Sequence, residues 1–176
     1  MRLILVTIVA ATTVGLLAGG RVRFFPSIPL AWWSLAIVGV ALQFFGGGGD
    51  IGYWALIGSF VLLLAFAVLN LRAPGFILIF VGLLLNALVI VLNHGMPVTR
   101  QALVRSGQES TLADLREHGG AKHHLADRDT VLLALSDAIA IPKPIGQAVS
   151  VGDLCVHLGV GWCIAASLRP RQRGTL

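Results

Sequence analysis

The chain has 176 residues, 56% of them hydrophobic and 12% charged, about half the ~25% charged share of an average soluble domain. A mean hydropathy of +0.86 excludes an ordinary water-soluble fold, whose surface would be largely apolar and would aggregate. The net charge is +5. Its Lys and Arg residues sit in short connections and in the tail rather than in one stripe, so membrane topology accounts for them and nucleic-acid binding is not expected.

In chain order, "LILVTIVAATTVGLLAGG" (3–20) is predicted to be a first membrane span. Arg21 and Arg23 follow it at once, which argues against a cleaved signal peptide. "IPLAWWSLAIVGVALQFFG" (28–46) is a second span, entered through Pro26 and Pro29, with Trp32 and Trp33 suited to the membrane–water boundary. "GGGGD" makes a turn into "IGYWALIGSFVLLLAFAVLN" (51–70), and "LRAPG" a turn into "FILIFVGLLLNALVIVLN" (76–93). Each run approaches the ~20 residues that cross a bilayer core.

Beyond residue 93 charge rises. "MPVTRQALVRSG" predicts a short helix entered through Pro97 and Thr99 and ended at Gly107. "STLADLREHGG" predicts a second, with Ser110 and Thr111 as cap candidates, and "AKHHLADRDT" a polar connection. "VLLALSDAIAIP" (131–142) is apolar but too short to span, which fits a re-entrant or interfacial segment. The fifth span is 149–168, followed by the basic tail "RPRQRGTL". The expected fold is therefore all-α: a polytopic membrane helical bundle of about five spans. It divides into a four-helix membrane half (1–93), an extracytoplasmic polar cap (94–130), and a last part (131–176) with the short apolar segment, the final span and the tail. Arg21, Arg23, Arg72, Arg169, Arg171 and Arg173 fall on one side if five spans alternate. This places the N-terminus outside and the C-terminus in the cytoplasm.

Few residues in the apolar segments carry chemistry. Asp153 stands at the start of the last span, where "SVGD" fits a capping box with Ser150 as the cap. A carboxylate there also faces the positive end of the helix dipole. His157, one turn on, shares a helix face with Asp153 and is either oriented by it or a hydrogen-bonded packing residue. Asp137 lies sixteen residues before Asp153 with a proline turn between them. It is a cap or loop residue, or one half of a carboxylate pair that shares a proton, as in aspartic proteases. Asn86 and Asn93 lie on one face of the fourth span and suit interhelical hydrogen bonding. Asn93, His94, Asp137 and Asp153 are expected at one membrane boundary, with His118, His123 and His124 in the cap region. No HExxH motif is present, and adjacent histidines converge poorly on one ion, so no metal is expected. No cofactor is expected either. Cys155 and Cys163 lie eight residues apart, about 12 Å along one helix, too far for a disulfide.

The runs "LNALVIVLNHGMPV", "KHHLADRDTVLLALSDAIAIPKP" and "SVGDLCVHLGVGW" resemble a family of small bacterial, actinobacterial-type polytopic membrane proteins classed as a domain of unknown function. The resemblance implies a bacterial plasma-membrane location and no particular activity. A weaker local likeness is to lipoprotein signal peptidase, a membrane aspartyl protease. By position it makes Asp137 and Asp153 a catalytic pair and matches Asn93 to an asparagine near that site. That enzyme's "NxGAAFS" is "NHGMPV" here, its "ADS" is "GDL", and the number and order of spans differ. Two functions follow. The first is a binding module or accessory subunit of a larger membrane complex, with a pocket lined by Asn93, His94, Asp137, Asp153 and His157, and with Asn86, His123 and His124 as further binding residues. The second is an intramembrane hydrolase using Asp137 and Asp153. The expected partners are the lipid bilayer and other subunits.

Overall fold

A computed structural model describes residues 2–21, 28–44, 49–117, 120 and 122–168. Seven α-helices are present among them: α1 (Arg2–Leu17), α2 (Trp33–Phe44), α3 (Asp50–Leu69), α4 (Phe76–Asn93), α5 (Arg100–Ser106), α6 (Glu109–Glu117) and α7 (Val151–Leu168). Three of them, α3, α4 and α7, are long and apolar enough to cross a membrane, while α1 and α2 are shorter apolar helices. The outward faces of these helices remain apolar, with Val61, Ile77, Leu158 and Trp162 all more than half exposed. Water does not accept such a surface and hydrocarbon does.

The apolar helices form an open arc. α1 packs on α7, α7 on α4, α4 on α3, and α3 on α2, while α1 and α2 share no comparable packing. The α4–α7 contact is close because glycines face backbone: a Cβ on Gly159 would come within 2.5 Å of the Gly75 carbonyl oxygen, and one on Gly152 would collide with the Asn86 side chain. Small residues at such crossings let helices meet where hydrophobic driving force is absent. Away from the cap, Asn70 accepts from Ala31 N–H at 2.8 Å and donates to the Ala31 and Phe66 carbonyls. It ties the start of α2 to the end of α3. Arg21 N–H donates to the Leu168 carbonyl at the same end of the bundle as the α1 and α7 C-termini.

The cap is not purely helical, which corrects the all-α expectation. β1 (Met96–Val98) pairs in parallel with β2 (His123–Leu125), and β3 (Ile139–Ile141) pairs antiparallel with β4 (Gln147–Val149). The cause lies at the end of α4. His94 takes a left-handed conformation with φ 54° and Gly95 has φ 146°, so the chain leaves the helix at once and Met96–Val98 runs extended. Asp137 N–H then donates to the Pro97 carbonyl, and Thr99 N–H donates to the Asp137 carbonyl. These bonds draw the short apolar segment into an extended bridge beside β1. It forms a 3₁₀ turn (Leu133–Leu135) and a strand, with Val131, Leu132 and Leu133 exposed at its tip.

Helix α5 starts and stops as expected: the Thr99 hydroxyl accepts from Ala102 N–H at 3.2 Å, and Gly107 closes it at φ 75°. Helix α6 begins one residue before Ser110, so Ser110 and Thr111 are helical rather than capping. Expectations resting on Arg23, His118 and the tail after Leu168 fall outside the described residues.

Candidate functional site: an apolar cavity with a polar mouth

A cavity of about 740 Å³ occupies the concave side of the arc, within the size range of small-molecule sites. Its wall is apolar along its length, from Leu83 and Val156 near the cap to Phe76, Val160 and Ile164 toward the other end. Apart from the Cys163 thiol, its ionisable groups, Lys122, His123, Asp137 and Asp153, gather at the cap end with Asn86. α1 and α2 stand at the two ends of the arc and are not packed on one another as the neighbouring helices are.

Asp153 is held completely. Ser150 N–H donates to its Oδ2 at 3.1 Å, and Asp153 N–H donates to Ser150 Oγ at 2.8 Å, which is a reciprocal capping box. Asn86 extends the box: its amide donates to Asp153 Oδ1 at 2.7 Å while its carbonyl accepts from Ser150 Oγ at 2.8 Å. Every polar atom of the triad that meets another is matched donor to acceptor, so a carboxylate is accommodated at the start of an apolar helix. Ser150 is fully buried, and its role as the hub of the network goes beyond the cap alone.

Asp137 is the opposite case. It is 6% exposed, and its Oδ1 is one of two buried side-chain atoms without a partner among the described residues, the other being Ser59 Oγ. Its Oδ2 lies 3.8 Å from His123 Nε2, beyond a hydrogen bond and within reach of a bridging donor. Burial, and secondarily the nearby Asp153 charge, push the Asp137 pKa up to about 8, so at neutral pH it is largely the neutral acid. His123 reaches the mouth because it pairs with Met96 across β1–β2. Its side chain is about half exposed. The surrounding protein nevertheless lowers its pKa by desolvation, against an opposing pull from Asp153.

The other expected site residues are dispersed. His124, the next residue along β2, pairs with Pro97 and does not line the cavity; successive strand residues point to opposite faces. His157 faces α1 rather than the pocket, with Nδ1 3.1 Å from Thr7 Oγ1. Asn93 clamps the cap to α4, donating to the Val89 and Val131 carbonyls and accepting from Val131 N–H at 2.9 Å. His94 stacks on Tyr53 with ring centroids 5.6 Å apart. Of the expected pocket lining only the two acids line the cavity, and Asn93, His94 and His157 do not; of the further binding residues Asn86 and His123 join the acids and His124 does not. Lys122 was not singled out from the sequence. It lines the mouth, and its ammonium donates to the Gln43 carbonyl in the last turn of α2, where the helix dipole favours a cation. No cluster of three metal-ligating side chains occurs among the described residues.

DUF5317, a family of unknown function, matches residues 25–165. The chain belongs to that family. It is also similar to an uncharacterized protein of Thermotoga maritima, with 34% identity over 116 residues, 64% of this chain and 62% of that protein. The match thus spans less than two thirds of that relative's length. No solved structure matches the chain. The matched span runs from before α2 to near the end of α7, so it includes Asn86, His123, Asp137, Ser150 and Asp153.

Proposed function

We propose that the protein is a bacterial plasma-membrane binding module whose five apolar helices all cross the bilayer, with the cap and N-terminus outside and the C-terminus in the cytoplasm. It receives an amphiphilic molecule from the bilayer through the gap between α1 and α2. Arg21 and Arg72, both at the end away from the cap, support this orientation. The observation that carries the binding role is the distribution of polarity in the cavity. A long apolar slot ends in one polar cluster, where a buried carboxyl oxygen lacks a partner. Such an atom costs about 1–3 kcal/mol unless something pairs with it.

The test is native mass spectrometry of the protein purified in mild detergent. A bound amphiphile at one per chain is expected. Val40→Trp, at an exposed position of α2 on the cavity wall, is expected to remove it. A chain that never carries a ligand, including after incubation with total lipid extract, overturns the reading. The apolar outer faces also suit contact with other subunits, and an accessory role in a larger complex predicts a stoichiometric protein partner in the same preparation.

One observation favours a second reading, an intramembrane aspartyl hydrolase. Asp137 and Asp153 line one cavity in unlike environments, one largely a neutral acid and one fed by N–H donors, an asymmetry suited to acid and base roles. Binding is the stronger reading because both Asp153 oxygens are already engaged in the cap network. Hydrolysis predicts cleaved products from a lipid or lipoprotein substrate, abolished by Asp137→Asn.

A further inference from the structure

We propose that the molecule held in the cavity is a lipid amine, whose ammonium takes the place of the proton on Asp137. The inference rests on the binding role proposed above and names the chemistry of the headgroup.

The argument is charge balance at the mouth. His123 from β2 and Asp153 from α7 act on Asp137, and Lys122, just before β2, and the neutral amide of Asn86 from α4 line the same mouth. Lys122 is turned to the Gln43 carbonyl, and desolvation lowers the His123 pKa. A second carboxylate can ionise in this setting only with a further cation beside it. An ammonium supplies that cation and donates to the open Oδ1. Binding then exchanges one proton for one cation, and the net charge of the mouth stays the same. An anionic headgroup would be repelled by Asp153 and could only accept from the protonated Asp137, releasing no proton. A hydroxyl headgroup could donate to Oδ1 but would release no proton.

The experiment uses the full chain in a nonionic detergent, with tritiated hexadecylamine and hexadecanol measured by scintillation proximity from pH 6 to 9. The amine stays protonated throughout, since alkylammonium groups titrate near ~10. Its affinity is expected to rise about tenfold per pH unit up to the Asp137 value of about 8 and then level. Hexadecanol binding is expected to be flat with pH. Asp137→Asn is expected to abolish the pH dependence for the amine and to weaken its binding at pH 8 at least tenfold, with its folding checked by thermal melting. Amine and alcohol binding with equal affinity and no pH slope overturns the proton exchange while leaving the cavity reading intact. If neither molecule binds at any pH, both readings fall.

Discussion

The buried acid at the cavity mouth makes stability depend on pH in a way that one substitution isolates. The folded-state pKa of Asp137 is raised from 3.8 to about 8. Between those values the unfolded chain has lost the proton and the folded chain has kept it, so stability falls as pH rises. The slope is about 1.4 kcal/mol per pH unit. His123 acts in the opposite sense. Its lowered pKa means that the unfolded chain binds more protons just below pH 6.5, so its contribution is lost as pH falls through that region. The two effects oppose each other below pH 6.5, and between pH 6.5 and 8 the Asp137 effect is the larger.

From pH 6.5 to 8 the loss through Asp137 is therefore about 2 kcal/mol. For a chain of this size that is roughly 4–8 °C in Tm. The assay is thermal unfolding in mild detergent, followed by tryptophan fluorescence at steps across this window, for the native chain and Asp137→Asn. The native Tm should decline across the window and that of the variant should stay level. The slope is the diagnostic, because the amide introduced by the substitution has its own hydrogen-bonding needs and shifts the offset. Parallel curves for the two proteins would refute both the burial of an ionisable Asp137 and the proton exchange built on it.

Two further predictions concern the α4–α7 seam. Asp153→Asn should cost about 1–3 kcal/mol, because the new amide faces a donor, either Ser150 N–H or the Asn86 amide. The double change Asn86→Asp with Asp153→Asn restores a complete donor–acceptor match and should recover most of the lost Tm, whereas additive losses would disprove the network. Gly152→Ala should lower Tm by several degrees, since its Cβ would strike Asn86 and the Gly82 carbonyl oxygen, and overpacking of this kind costs about 1–3 kcal/mol. The matched control, Gly161→Ala, meets nothing closer than 3.7 Å and should melt like the native chain.

Signals contained within a few residues were readable in advance. The apolar runs locate the helices, Thr99 and Gly107 bound α5, and "SVGD" announces the capping box that Ser150 and Asp153 form. Contacts that depend on distant pairing were not readable. His123 reaches the mouth only because residue 123 pairs with residue 96 across a parallel sheet, and strands of three residues are too short to show alternation. Thr7 and His157 meet across 150 positions. Asn70 has the same residue type as the two asparagines singled out in α4, yet it fastens α2 to α3 at the far end of the bundle. Residue type announced that these groups would need partners, and only the fold decided which ones.

The contrast between the two acids is what locates a site within the bundle. Both face one low-polarity space, where an unmatched charge is expensive. Evolution toward stability alone has an available solution, and Asp153 displays it: a backbone donor, an amide donor and a hydroxyl relay, all within the α4–α7 seam. Asp137 has its backbone fully tied to Pro97 and Thr99, so its position is rigidly set, yet its side chain carries an open oxygen into the same cavity. A capping or loop role would engage that oxygen with a nearby N–H, and none is bonded to it. A rigid backbone that presents an unsatisfied carboxyl to an apolar slot is the arrangement expected of a group that waits for a ligand. The Asp137→Asn melting curve therefore bears on function as well as on stability: a variant that melts higher and loses its pH slope is one whose native acid is retained at a cost to the fold.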